Sequence, residues 1–130
     1  MVQLPKLDTK KSEEGRWVEY VPGISVLIAR SRNRKALDMM AKLGQRSLRR
    51  IQSGSTEALD SITKQVVAHT IIRGWRGMTD DDGADIPYSP EKALEIISDP
   101  RYADFLEFVQ TEAGLDDEYR ASDMEDAAGN

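Results

Sequence analysis

The chain has 130 residues, 39% of them hydrophobic and 32% charged, and 18 Lys and Arg against 23 Asp and Glu leave it at −5. That length provides one modest core and no more, and no run approaches the roughly 20 apolar residues that a membrane-spanning helix needs. The absence of cysteine excludes a disulfide framework and thiolate metal sites, and a lone histidine, His69, excludes a multi-histidine metal centre.

Residues 1–14 are polar and without sustained period, lack the apolar core of a secretory signal, and read as a flexible lead to a cytosolic domain. RWVEY (16–20) and ISVLIAR (24–30) are rich in β-branched and aromatic residues, and Val21-Pro22-Gly23 between them supplies a turn. This predicts a β-hairpin, which must pack on helices or pair with another chain because two strands alone are marginal. Asn33 is the expected N-cap of a helix running to about Gln52, with Leu37, Met40, Leu43, Leu48 and Ile51 at helical spacing and Gly44 as a weak point. A second helix is expected from Ser55 or Thr56 to about Arg73. Its stripe is Leu59, Ile62, Val66, Val67, Ile71 and Trp75, and the short link makes the pair antiparallel.

The stretch WRGMTDDDGADIPYSPEKALEIISDPRYADFLEFV, 75–109, carries the most information. An acidic glycine-bearing loop feeds helices at about 90–97 and 100–113. Ser89-Pro90 and Asp99-Pro100 each place a capping residue before a proline at the first helical position, where its missing N–H costs nothing. The tail from Asp116 is acidic and is expected to be mobile and to add little core. The expected organisation is a flexible lead (1–14), one globular domain (15–115) and a tail (116–130). The fold class is α+β and mostly helical: an N-terminal hairpin on an antiparallel helix pair and further short helices, with an all-α arrangement as the alternative.

Charge is segregated along the chain. Residues 1–76 hold 15 Lys and Arg against 7 Asp and Glu (+8), and residues 77–130 hold 3 against 16 (−13). Such polarity suits head-to-tail contact between copies, separate surfaces for different partners, or the acidic half folding over the basic one. Asp80, Asp82 and Glu91 mimic positions one, three and twelve of a calcium loop, but Ala84 and Asp85 occupy positions five and six, where an oxygen ligand and a glycine are required. A solvated acidic turn is expected, with no metal and no cofactor. The basic cluster from Arg30 through Arg46, Arg49 and Arg50 spreads over more than one helix face, and no aromatic residue interleaves with it to stack bases. His69 reads as a packed side chain, and Trp17, Tyr20 and Trp75 read as core anchors. Trp75, Asp81, Asp82, Tyr88, Tyr102, Phe105 and Phe108 are candidate partner-binding residues, because aromatics in acidic helices can form a contact surface. Arg30, Arg46, Arg49 and Arg50 are the candidates for self-association. No nucleophile stands beside a base, so no enzyme is expected.

The ordered combination RWVEYVPGISVLIARSRN, then VVAHTIIRGWRGMTDDDGADIPYSPEKALEIISDPRYADFLEFV, resembles the tail assembly chaperones of long, non-contractile-tailed bacteriophages across residues 16–120. The resemblance rests on Trp17, Ala29, Arg30, Asn33, Trp75, Gly77, Asp81, Asp82, Gly83, Pro87, Tyr88, Ser89, Asp99 and Pro100; residues 39–61 contribute nothing to it. It implies a non-enzymatic assembly factor in the host cytoplasm, absent from the mature virion. Such a factor keeps the tape measure protein soluble, recruits tail tube subunits, and associates with itself into spiral oligomers. Two other classes remain open: a small nucleic-acid-binding regulator using the Arg30–Arg50 cluster, and a structural component of the tail or neck.

Overall fold

A computed structural model describes residues 3–121. Three antiparallel strands, β1 (Arg16–Val21), β2 (Ile24–Ile28) and β3 (Ile72–Arg76), form a sheet in the order β1-β2-β3, with helices packed on one side. The fold is α+β and mostly helical, as expected, and the all-α alternative is excluded.

The hairpin forms where its turn chemistry placed it. Gly23 has φ 94°, which the turn requires, and Trp17 pairs with Leu27 and Val18 with Val26. Alternation then sorts the two faces. Val18, Tyr20, Val26 and Ile28 face the core, whereas Trp17 lies on the outer face. Trp17 is 46% exposed and stacks under the Arg76 guanidinium, 3.8 Å from its ring centroid, so it is no core anchor.

The third strand corrects a sequence expectation. The helix expected to run to Arg73 ends at Val66 as α4 (Thr56–Val66), passes through a π-helical turn (Val67–Ile71) and leaves as β3. Thr70 donates its hydroxyl to the Val66 carbonyl at 2.7 Å, and the Ala29 amide donates to Ile71 O at 2.8 Å. The backbone is thereby handed from helix ladder to sheet ladder within one turn. The β-branched run through Ile72 favours that exit, and Gly74 gives Leu27 and Trp17 room to lie over it. Val26 pairs with Trp75, which puts Trp75 in the core at 8% exposure.

Asn33 caps α2 (Arg34–Arg46) as predicted, accepting from the Ala36 amide at 2.9 Å. Its side-chain amide also donates to Arg30 O at 2.7 Å and Thr70 O at 3.1 Å, so this buried residue ties the end of the hairpin to the π-turn. Replacing Asn33 with alanine removes the cap and the buried side-chain donor to Thr70 O, while Arg30 O keeps the Asn33 backbone amide at 3.1 Å. We expect a loss of about 2 kcal/mol in urea denaturation, the sum of a capping term and a buried polar term. The predicted long helix breaks at Ser47, after which α3 (Leu48–Gln52) makes a short second piece. Ser55 caps α4, and Ser89 caps α5 (Pro90–Ser98) by accepting from Lys92 N at 3.0 Å. Asp99 caps a 3-10 turn, Pro100–Tyr102, that leads into α6 (Ala103–Ala113).

Among the described residues, the segments before β1 and after α6 are more structured than their composition implied. Within the lead, Asp8 caps a helix, α1 (Thr9–Glu14), at 3.0 Å from Lys11 N. Within the first part of the acidic tail, a 3-10 turn (Asp116–Tyr119) buries Tyr119 completely, and its hydroxyl donates to Ile28 O at 2.8 Å. Asp8 N to Tyr119 O and Ala121 N to Lys6 O, at 2.8 and 2.9 Å, lace the two segments together. Arg16, beside the Tyr119 ring, reaches Glu112 at 2.9 Å. One large aromatic outweighs the acidic residues around it. The remainder of the expected tail, 122–130, lies outside the described residues. Among the described residues no helix is long and apolar enough to cross a membrane.

Candidate partner-docking site

The loop leaving β3 is built on its own backbone. Thr79 bridges Asp85, Ile86 N donates to Met78 O at 2.9 Å, and Gly83 turns the tip with φ 82°. Asp80 turns one carboxylate oxygen inward, accepting from the amides of Asp82 and Ala84 at 2.9 and 3.0 Å. Two aromatic side chains then staple the loop to the edge of the sheet. Trp75 Nε1 donates to Ile86 O at 2.8 Å, and the Tyr88 hydroxyl donates to Ile72 O at 2.6 Å. Their rings meet edge to face at 5.0 Å. Burial raises the Tyr88 hydroxyl above its ordinary pKa, which keeps it a donor.

Held in this way, the loop forms one wall of a cleft of ≈ 250 Å³. The remaining walls come from the turn end of the hairpin, the end of α5, the 3-10 turn after it and the start of α6. Tyr20, Ile24, Met78, Ile86, Ile96, Tyr102 and Phe105 give it an apolar lining, and Thr79, Arg101 and Asp104 stand at its rim. A more polar notch continues from it past Asp80, Asp81, Lys92, Glu95 and Asp99. Arg101 clamps Asp99, Nη2 to Oδ2 at 2.8 Å, and these hydrogen bonds hold the Asp99 carboxyl below its usual pKa.

Of the candidate partner-binding residues, the structure brings Asp81, Tyr102 and Phe105 together around this cleft and its notch. Trp75 and Tyr88 lie beneath it as supports, and Phe108 packs inside against Tyr20 with centroids 4.7 Å apart. Asp82 is exposed at the loop tip and lines neither opening. Tyr20, Ile24 and Ile96 come from separate elements and Met78 and Ile86 from the loop after β3, and no single stretch of sequence marked them as a surface.

A second opening, ≈ 230 Å³ and almost wholly apolar, lies between α2, α4 and α6, lined by Met40, Val66, Val67, Ile71 and Ala113 with Ser31, Thr63 and Gln110. Leu37 on α2 and Leu59 on α4 remain 43% and 51% exposed. The basic candidates divide. Arg30 is engaged with Asp116 at 2.9 Å and is largely covered, whereas Arg46, Arg49 and Arg50 are exposed at the end of α2 and on α3. His69 is half-buried in the π-turn.

Residues 28–130 match the model of the family described as YdaY prophage protein. The chain belongs to the YdaY prophage protein family. No curated protein and no solved structure matches it. Membership makes the protein phage-derived, in agreement with the phage character of the sequence resemblance. The span matched to the YdaY family starts at the last residue of β2, so it takes in the acidic loop, α5, α6 and most of the cleft lining, but not Tyr20 or Ile24.

Proposed function

We propose that this YdaY-family protein is a tail assembly chaperone. It binds the tape measure protein, keeps it soluble, recruits tail tube subunits in the host cytoplasm and is left out of the mature virion. The reading takes its support from the ordered sequence resemblance and from prophage family membership. The observation that carries it structurally is the apolar groove between α2, α4 and α6, which an amphipathic helix of a client would fill with its apolar face. Leu37, Met40 and Leu59, each at least 39% exposed, extend that surface on both sides of the groove. The role is binding and release, without a catalytic step. The nucleic-acid alternative is weakened by the Arg30–Asp116 pair, which removes one cation from the basic cluster.

The test is affinity capture from cells co-expressing the adjacent tail genes. The wild-type chain should retain the tape measure protein, and Met40→Asp should lose most of it while melting at an unchanged temperature. Retention by M40D equal to wild type, or capture of nucleic acid in place of the tape measure protein, would count against this reading.

A further inference from the structure

Apolar lining and negative charge converge at one place on this surface. The Tyr20–Phe105 cleft shares Thr79, Ile86, Ile96, Arg101 and Tyr102 with the notch beside it, so the two form one elongated trough. Its walls are fixed before anything binds. Tyr20 meets Phe105 edge to face with ring centroids 5.3 Å apart, and Trp75 and Tyr88 pin the loop that carries Met78 and Ile86. A preformed site loses little to ordering when its occupant arrives. The cleft's ≈ 250 Å³ is below the roughly 300–1,000 Å³ typical of small-molecule sites, and suits one or two side chains.

Five carboxylates, those of Asp80, Asp81, Glu95, Asp99 and Asp104, stand along the trough against two cations. Both cations are engaged locally, Arg101 with Asp99 at 2.8 Å and Lys92 with Glu95 at 3.3 Å. Asp80 turns one oxygen to the amides of Asp82 and Ala84. Asp81 and Asp104 remain, both exposed and without an ion-pair partner among the described residues. Among the described residues no acidic group is arranged to hold a metal ion, so organic cations are the matching charge. Asp104 borders the cleft and Asp81 the notch, so the occupant needs cations at more than one point along its length.

We propose that this trough docks a linear segment of another protein, in which one large apolar side chain is flanked by lysines or arginines. The apolar side chain fills the cleft against Tyr20, Tyr102 and Phe105, and the flanking cations meet Asp104 and Asp81. The trough is separate from the groove between α2, α4 and α6, so the inference goes beyond the chaperone reading and does not rest on it. Burial of the anchor supplies most of the affinity, because exposed ion pairs contribute little each. The carboxylates select the charge of the partner and speed its approach. Salt screens them, so binding weakens as ionic strength rises.

Fluorescence anisotropy tests this with the full chain and a labelled short peptide carrying one phenylalanine between flanking lysines. The wild type should bind it saturably, one peptide to one chain. A peptide of the same charge with alanine at the anchor should bind about tenfold more weakly or worse, and phenylalanine between glutamates should not bind. On the protein side, Asp81→Lys/Asp104→Lys should weaken binding about tenfold. Both positions are exposed, so that variant should melt at the wild-type temperature, and the peptide series stands without it. Met40→Asp, in the other groove, should bind the peptide as wild type does. Four results overturn the proposal: no binding by the wild type, equal binding of the alanine or glutamate peptide, unchanged binding by the double variant, or weakened binding by M40D. Sedimentation velocity adds a fifth, a peptide that binds only by displacing a second copy of this chain. None of these results touches the chaperone reading, which depends on the tape measure protein. Conversely, a chain that binds the peptide as described but ignores the tape measure protein keeps this site and loses that role.

Discussion

Truncating Tyr119 to alanine should cost about 4–6 kcal/mol, a large part of the roughly 5–15 kcal/mol that holds a domain of this size folded. Its ring is fully buried, and its hydroxyl donates to Ile28 O at 2.8 Å. Removing a buried aromatic ring leaves a cavity costing about 3–5 kcal/mol, and the lost hydrogen bond adds about 1 kcal/mol. The same change uncovers the Arg16 guanidinium, whereas the backbone bond from Asp8 N to Tyr119 O does not depend on the side chain. Tyr119→Phe separates the two contributions, because it keeps the ring and should lose only about 1 kcal/mol. Urea denaturation of both variants measures the difference. A loss below about 1 kcal/mol for Y119A would mean that the segment after α6 is not part of the core.

Gly77 should be comparably intolerant, for a backbone reason. It has φ 84° and lies so close to the Gly23 carbonyl that a Cβ would overlap it. Gly77→Ala therefore combines left-handed strain of about 1–3 kcal/mol with a backbone clash that only movement of the hairpin turn can relieve. We expect a loss of at least about 3 kcal/mol, read as a fall in denaturant midpoint, with the 21–24 turn displaced. Gly83 is the control. Its φ is 82°, but nothing lies within 4 Å of its added Cβ, so Gly83→Ala should show the strain alone. Equal losses at the two positions would show that the close approach of Gly77 to Gly23 carries no energy.

What the sequence made legible is local. The Pro22-Gly23 turn, the Asn33 cap, and the Ser89-Pro90 and Asp99-Pro100 starts depend on a few adjacent residues whose preferences nothing distant overrides. The third strand was hidden because Val66, Val67, Ile71, Ile72 and Trp75 are apolar in helix and strand alike, and only the π-turn distinguishes them. Trp17 and Trp75 are the same residue type in the two outer strands of one sheet, yet register sends one to solvent and the other to the core. Tyr119 was concealed by the acidic residues around it. The cleft was legible only in part. Tyr102 and Phe105 stood out as aromatics in an acidic stretch, but Tyr20, Ile24 and Met78 join them through the tertiary fold, which no periodicity encodes. The resemblance reached the phage origin that the YdaY family also indicates.

The central claim is that this phage protein keeps an aggregation-prone tail component in solution. The most direct measurement is the soluble fraction of the tape measure protein, expressed alone and together with this chain. A chaperone should move most of it from pellet to supernatant, in a complex containing this chain, and Met40→Asp should return it to the pellet. A tape measure protein that stays insoluble beside abundant wild-type chain would contradict the account.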